Sequence, residues 1–292
     1  MFPAGVPGIR VDSVTLADGT RLRAAESGDP RAPATLLVHG WGASLYMWRD
    51  WFAPLAAAGR RAVALDLPGH GLSDKPLDAK RYTLDALVRV LAEVMAVREL
   101  GAPDVVAQSM GGTTALELAT RGVARLGGLV LVNPASFGRV HLLRLARFVS
   151  PRAVEPLIAR SMRRWMVERA HRRVYGDPSR ISVRDVDQYW ATSGLPGYAA
   201  AMRRLVHEFS WGRVPVREMA RRLRALAPPT SPPLVVLGAR DRLVRGARAY
   251  VEALRAAGAP LEMSISSEGG HAVNEERPAE VLDVALRHLA RR

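Results

Sequence analysis

Three short runs of apolar residues punctuate the first third of the chain: ATLLVHG at 34–40, RAVALDLPG at 61–69 and PDVVAQS at 103–109. A strand covered on both faces is apolar throughout instead of alternating, so these runs predict buried parallel strands. Between them, 44–58 and 83–100 carry apolar residues at helical spacing, with Ser44 and Thr83 as candidate N-caps. The alternation continues with a helix from about Met110 to Arg121, stopped by Gly122, and a strand at 128–132 closed by Asn133-Pro134. Strand–helix units joined by right-handed crossovers give a doubly wound sheet. Ahead of them, VDSVTLADGTRLRAAESG alternates on either side of Asp18-Gly19 and predicts a hairpin.

The pattern breaks at Pro134. From there to about residue 230 the chain reads as Arg-rich amphipathic helices without a strand run, and it closes on a proline-rich joint, APPTSPP at 227–233. Core patterning then resumes with a strand in 233–241, a helix at 246–257, a strand at 260–265 and a helix at 278–290 that sets Val281, Leu282, Ala285 and Leu289 on one face. Two consecutive domains would leave these last strands without a sheet. The expectation is one α/β core formed by residues 1–133 and 233–292, with a mostly parallel eight-stranded sheet and helices on both faces. A helical cap at 134–232 interrupts it after the sixth strand.

Composition removes several chemistries. The chain has no cysteine, which excludes disulfides, thiolate nucleophiles and thiolate metal sites. Its two lysines, Lys75 and Lys80, lie outside any GxxxxGK[ST] loop, which argues against P-loop phosphate binding and lysine Schiff-base chemistry. No apolar stretch approaches the ~18 residues that span a bilayer, and MFPAGVPGIR lacks the basic and apolar regions of a secretory signal, so a cytoplasmic protein is expected.

The net charge of +14 is concentrated: residues 134–230 hold 19 arginines against 7 acidic residues, a surplus of 12. Within 140–175, Arg144, Arg147, Arg160, Arg163 and Arg164 interleave with Leu142, Leu143, Leu145, Phe148, Leu157, Ile158, Trp165 and Met166. Two readings stay open, a roof over the site with solvated arginines and a basic interfacial helix that draws the protein to anionic lipid. An anionic substrate steered by the field is a third. Nucleic acid is disfavoured, since neither a recognition module nor an aromatic platform is present.

The chemistry-bearing residues fall just past predicted strands. Ser109, in AQSMGG, sits between a buried strand and a helix, where a tight turn exposes a hydroxyl and tolerates only small neighbours; it would equally serve as a helix N-cap. His39-Gly40-Trp41-Gly42 follows the strand at 34–38, and the backbone N–H groups of Trp41 and Met110 are the candidate oxyanion donors. His39 itself reads as a loop-packing side chain. A serine hydroxyl needs a base, and His271, in EGGH beyond the last strand, is the outstanding candidate among seven histidines. Asp241, in GARD, would orient that base; pairing with Arg240 or Arg242, or capping the next helix, are its alternatives.

With Ser109, Asp241 and His271 in that chain order, the sequence resembles the α/β-hydrolase superfamily, in the group whose helical cap follows the sixth strand. The resemblance covers about 33–133 and 233–290, and includes DLPGHGLSD at 66–74 and HAVNEERP at 271–278. It implies an α/β-hydrolase fold with Ser109 as nucleophile, Asp241 as acid and His271 as base, acting on a small ester with a hydrophobic acyl group and requiring no cofactor or metal. Ser109 argues against dehalogenases and epoxide hydrolases of this fold, which place aspartate there. Carbon–carbon bond hydrolases share the SMGG run but have asparagine before the serine and an aromatic residue after the histidine, where this chain has Gln108 and Ala272. Thioester hydrolysis with the same triad, and a non-catalytic binder on the same fold, complete the alternatives.

Overall fold

A computed structural model describes residues 1–140, 146, 163–226 and 232–291. Eight strands form one sheet: β1 (Arg10–Thr15), β2 (Arg21–Ser27), β3 (Ala34–Val38), β4 (Arg61–Leu65), β5 (Asp104–Gln108), β6 (Leu129–Val132), β7 (Leu234–Gly238) and β8 (Glu262–Ser266). Their spatial order is β1-β2-β4-β3-β5-β6-β7-β8. The first hairpin and the β2–β4 pair are antiparallel, and the remaining pairs are parallel. This is the expected mostly parallel α/β sheet.

The strands are apolar because both faces are covered. Leu36, Val38, Val63, Leu65, Val105, Ala107, Leu129 and Leu131 point into one buried cluster, whereas Leu37, Ala62, Ala64, Val106, Val130 and Val132 point into the other. On the first side lie α2 (Leu84–Val97), α3 (Ser109–Thr120) and, after the sixth strand, further helices. The second is closed by Trp48, Trp51, the short α1 (Phe52–Ala57) and a C-terminal helix. Parallel register aligns Val38 with both Leu65 and Ala107, Gln108 with Val132, and Gly238 with Ser266. The loops after β3 to β8 therefore emerge along one edge, where ligand sites of such sheets form.

Between β6 and β7, which are neighbours in the sheet, the described residues contribute α4 (Arg164–Val174), α5 (Val183–Ser193), α6 (Tyr198–Glu208) and α7 (Val216–Arg224); this segment is hereafter the insert. Most of the 140–175 stretch and the proline-rich joint fall largely outside the described residues. After β7 come α8 (Ala247–Ala256), α9 (Val273–Glu276) and α10 (Pro278–Leu289). Among the described residues, no helix is long and apolar enough to cross a membrane.

One element departs from the periodicity. The helix expected over 44–58 is instead a 3-10 turn at Leu45–Trp48 followed by α1. Ser44 does cap the turn, accepting from the Tyr46 amide, and the buried Asp66 takes the Leu45 amide at 2.7 Å. Breaking the helix there lets Trp51 turn inward, where its indole N–H donates to the Asn274 carbonyl at 2.9 Å. Thr83 caps α2 as expected.

Candidate active site

The turn from β5 into α3 forces Ser109 into the left-handed region, with φ of 51°. A non-glycine residue held there costs of order 1–3 kcal/mol, which the surrounding packing must hold in place. That packing is tight: a Cβ added to Gly111 would lie 2.5 Å from the His39 carbonyl oxygen, so only glycine lets α3 start against the β3 loop. The result projects the Ser109 hydroxyl from the carboxyl edge of the sheet.

The three residues singled out in sequence converge. His271 Nε2 lies 2.9 Å from Ser109 Oγ, and His271 Nδ1 lies 2.8 Å from Asp241 Oδ2. The other carboxylate oxygen, Oδ1, accepts the Leu243 and Val244 amides at 2.7 and 3.0 Å. A carboxylate accepts from Nδ1–H, which leaves the Nε2 lone pair facing the serine hydroxyl. The helix-capping alternative for Asp241 is not realised: its second oxygen closes the turn at Leu243 and Val244, while the next helix starts at Ala247 behind Gly246 with no side-chain cap. Arg240 instead pairs with Glu268, at 3.7 Å. Ser109 and His271 are 6% and 5% exposed, so the hydroxyl and imidazole meet in a largely water-excluded place.

The two candidate oxyanion donors flank the serine. Met110 follows it in the first turn of α3, where backbone N–H groups lack an intrahelical partner. Trp41 lies in the loop after β3; a Cβ on its neighbour Gly40 would sit 3.0 Å from Ser109 Cβ. This loop is braced by two buried histidines. His39 Nε2 accepts the Leu67 amide at 3.0 Å and its Nδ1–H reaches the Gly40 carbonyl at 2.7 Å, the packing role expected of it. His70 Nε2 accepts the Gly42 amide at 3.2 Å while Nδ1–H donates to the Pro68 carbonyl at 3.1 Å. Burial lowers the pKa of His39, and lowers that of His70 well below the ordinary value, with His39 adding to the effect on His70. From the insert, the Met202 carbonyl of α6 accepts the Trp41 Nε1–H at 3.2 Å.

Sequence reasoning missed the residues that hold the histidine loop. Asn133 read only as the end of a strand; its Nδ2 donates to the Gly270 and His271 carbonyls, both at 3.0 Å, and its Oδ1 accepts the Gly238 amide at 3.0 Å. Its φ of 42° suits asparagine better than most side chains. Gln108 Nε2 adds a second donor to the His271 carbonyl, at 3.0 Å. The position directly before Ser109 and the strand end at Asn133-Pro134 were the only signals available. Among the described residues, no group of three His, Asp or Glu side chains is placed to hold a metal ion.

Comparison with known proteins gives the chain its relatives. A family profile described as the alpha/beta hydrolase family matches residues 35–284. The chain is 26% identical over 275 residues to the dihydrolipoyllysine-residue acetyltransferase component of the acetoin cleaving system of Pseudomonas putida, covering 93% of this chain and 67% of that one. It is 33% identical over 135 residues to 2-hydroxymuconate semialdehyde hydrolase of Pseudomonas sp. strain CF600, covering 46% of each. The structure of potato (Solanum tuberosum) epoxide hydrolase I superposes with a TM-score of 0.77 over 97% of this chain and 100% of that one at 21% identity, a likeness of fold.

Proposed function

Because the chain belongs to the alpha/beta hydrolase family, we propose that it is a serine hydrolase that cleaves carboxylic esters through an acyl-enzyme. The observation that carries this reading is the continuous relay from Asp241 through His271 to Ser109, with contacts of 2.8 and 2.9 Å. As Ser109 Oγ bonds to the ester carbonyl carbon, His271 Nε2 takes the hydroxyl proton, and Asp241 stabilises the imidazolium. The Trp41 and Met110 amides hold the oxyanion. Collapse of the tetrahedral adduct breaks the bond to the alcohol, which leaves with the proton from Nε2. His271 then deprotonates a water that attacks the acyl-serine, releasing the acid and restoring the hydroxyl.

The substrate is a small ester whose acyl group is hydrophobic. The insert acts as a cap over a site whose two central side chains are buried. Its exposed α4 face, with Trp165 61% exposed between arginines that include Arg169 and Arg173, rests on anionic lipid and keeps the enzyme peripheral to a membrane.

The test is hydrolysis of p-nitrophenyl esters of increasing acyl length by wild type, Ser109→Ala and His271→Ala. Each variant loses on the order of 10⁴-fold or more in kcat. Wild-type rates in either variant refute the assignment. The relative cited above that bears a C–C hydrolase name favours a second reading, C–C bond or thioester cleavage by the same three residues. Inertness toward every oxygen ester, with fluorophosphonate labelling at Ser109 retained, selects that reading. No labelling selects a binder without turnover.

A further inference from the structure

The loop that carries His271 is clasped from the insert side as well as from the sheet. Residues 174–177, just beyond α4, cross directly over it. The Ala272 amide donates to the Val174 carbonyl at 3.1 Å. The backbones of Gly176 and Gly270 touch, since a Cβ on Gly270 would come within 2.2 Å of the Gly176 nitrogen. Beneath the crossing lies Glu276, a buried carboxylate at the end of α9 that the proposed mechanism does not use. Its Oε2 accepts the Gly270 amide at 2.8 Å and the Gly176 amide at 3.0 Å, and its Oε1 accepts the Asp177 amide at 2.7 Å. One oxygen thus joins the residue before the candidate base to the insert.

We propose that Glu276 is a positioning residue, whose carboxylate locks the His271 loop to the 174–177 crossing so that the imidazole aligns with Ser109 only while the insert is seated. Three amide donors converging on one side chain need two acceptor oxygens, which is why a carboxylate stands there. Ser109 and His271 are buried, so little of either side chain is open to solvent with the insert in this position. Moving the crossing withdraws two of the three donors from Glu276 and the Val174 carbonyl from Ala272. On the sheet side, Asn133 and Gln108 hold only the His271 and Gly270 carbonyls, and leave the Gly270 amide to Glu276. Seating of the insert therefore completes the alignment of the base. The inference rests on the serine hydrolase reading.

Glu276→Gln tests it without changing side-chain volume. An amide presents one oxygen and one NH2, so an N–H donor now faces either the Asp177 amide or the Gly270 and Gly176 amides. Three measurements are read against wild type: ester hydrolysis, the fluorophosphonate labelling rate at Ser109, and the downfield proton resonance of His271 Nδ1–H, identified by its loss in His271→Ala. Tyr189→Phe is the control, because it removes another contact between insert and core, the 2.9 Å bond to Glu275, without touching any partner of Glu276.

The expected result for Glu276→Gln is a loss of about 100-fold in kcat with little change in KM, a matching fall in labelling, and a shifted or broadened resonance. Tyr189→Phe lowers the melting temperature and leaves all three readouts in place. A Glu276→Gln protein with wild-type kcat and an unmoved resonance, differing only in melting temperature, overturns the proposal. Should the Gln variant fail to fold, Glu276→Asp, which keeps the charge but draws the oxygens back, is judged by the same criteria. If wild type neither labels nor hydrolyses any ester, the serine hydrolase reading falls, while the resonance still decides whether Glu276 positions His271.

Discussion

Acidification should destabilise this protein through two histidines that take no part in the proposed proton transfers. His39 and His70 are fully buried, their rings meet edge to face with centroids 4.8 Å apart, and each uses Nε2 to accept a backbone amide. A proton on either Nε2 would set donor against donor and remove the brace of the Gly40–Gly42 loop. Burial accordingly keeps both pKa values below the ordinary 6.5. Their contribution to stability is complete above about pH 6.5, where the unfolded rings are also neutral, and is lost as pH falls and the unfolded chain binds protons that the folded chain refuses.

Each such proton gives a slope of about 1.4 kcal/mol per pH unit, so the pair gives at most about 2.7. Integrated from pH 7.5 to 5.0, the upper bound is about 4 kcal/mol, a large part of the 5–15 kcal/mol that stabilises an ordinary domain. This window lies above the titration of most unfolded carboxylates. Urea unfolding at four pH values between 7.5 and 5.0 measures the slope, and His39→Gln and His70→Gln each remove about half of it, since the glutamine oxygen supplies a non-titrating acceptor. A slope unchanged in both variants, or stability that rises as pH falls, would refute the reasoning.

Three further outcomes follow from the same contacts. Asn133→Asp sets a carboxylate against the Gly270 and His271 carbonyls in place of two donated bonds; Gln108 still serves the His271 carbonyl, but the Gly270 carbonyl loses its side-chain donor, at a cost of about 1–3 kcal/mol and a lower kcat, read by urea unfolding alongside ester hydrolysis. Arg49→Met strands two carboxylates, Glu275 of the core at 2.5 Å and Asp185 of the insert at 3.0 Å, and should destabilise by about 3–5 kcal/mol in the same assay. Loss below 1 kcal/mol would show that the pair is not sheltered. Co-sedimentation with vesicles should show salt-sensitive binding to anionic but not to neutral lipid, reduced in Trp165→Ala; equal binding to both compositions rejects the lipid surface as partner.

The sheet was readable because strands buried on both faces leave uninterrupted apolar runs, and those runs fell on β3 to β7 nearly residue for residue. The strand expected at 260–265 lies at Glu262–Ser266, shifted where an edge strand alternates and its ends carry less signal. Ser109, Asp241 and His271 were readable because each follows a strand end in a local pattern that its chemistry requires. The support behind them was not. Asn133, Gln108 and Glu276 act on backbone groups 99 or more positions distant, or on a nearby glycine that carries no side chain to pair with, so no spacing along the chain announces them. The 3-10 turn at Leu45–Trp48 escaped for a related reason: the Asp66 carboxylate that takes its Leu45 amide comes from another loop.

The chain leaves the sheet at Val132 and rejoins it at Leu234 on the adjacent strand, with Asn133 Oδ1 hydrogen-bonded to the Gly238 amide across the gap. Departure and return thus share one doorway, stitched on the core side by two bonds of one asparagine, its Oδ1 accepting the Gly238 amide and its own backbone amide donating to the Val236 carbonyl. Everything between can lengthen, shorten or be exchanged by recombination without altering strand order or the register that lines up the reactive edge. Selection for a new substrate can therefore work on this cassette, provided that it keeps the 174–177 crossing that meets the His271 loop.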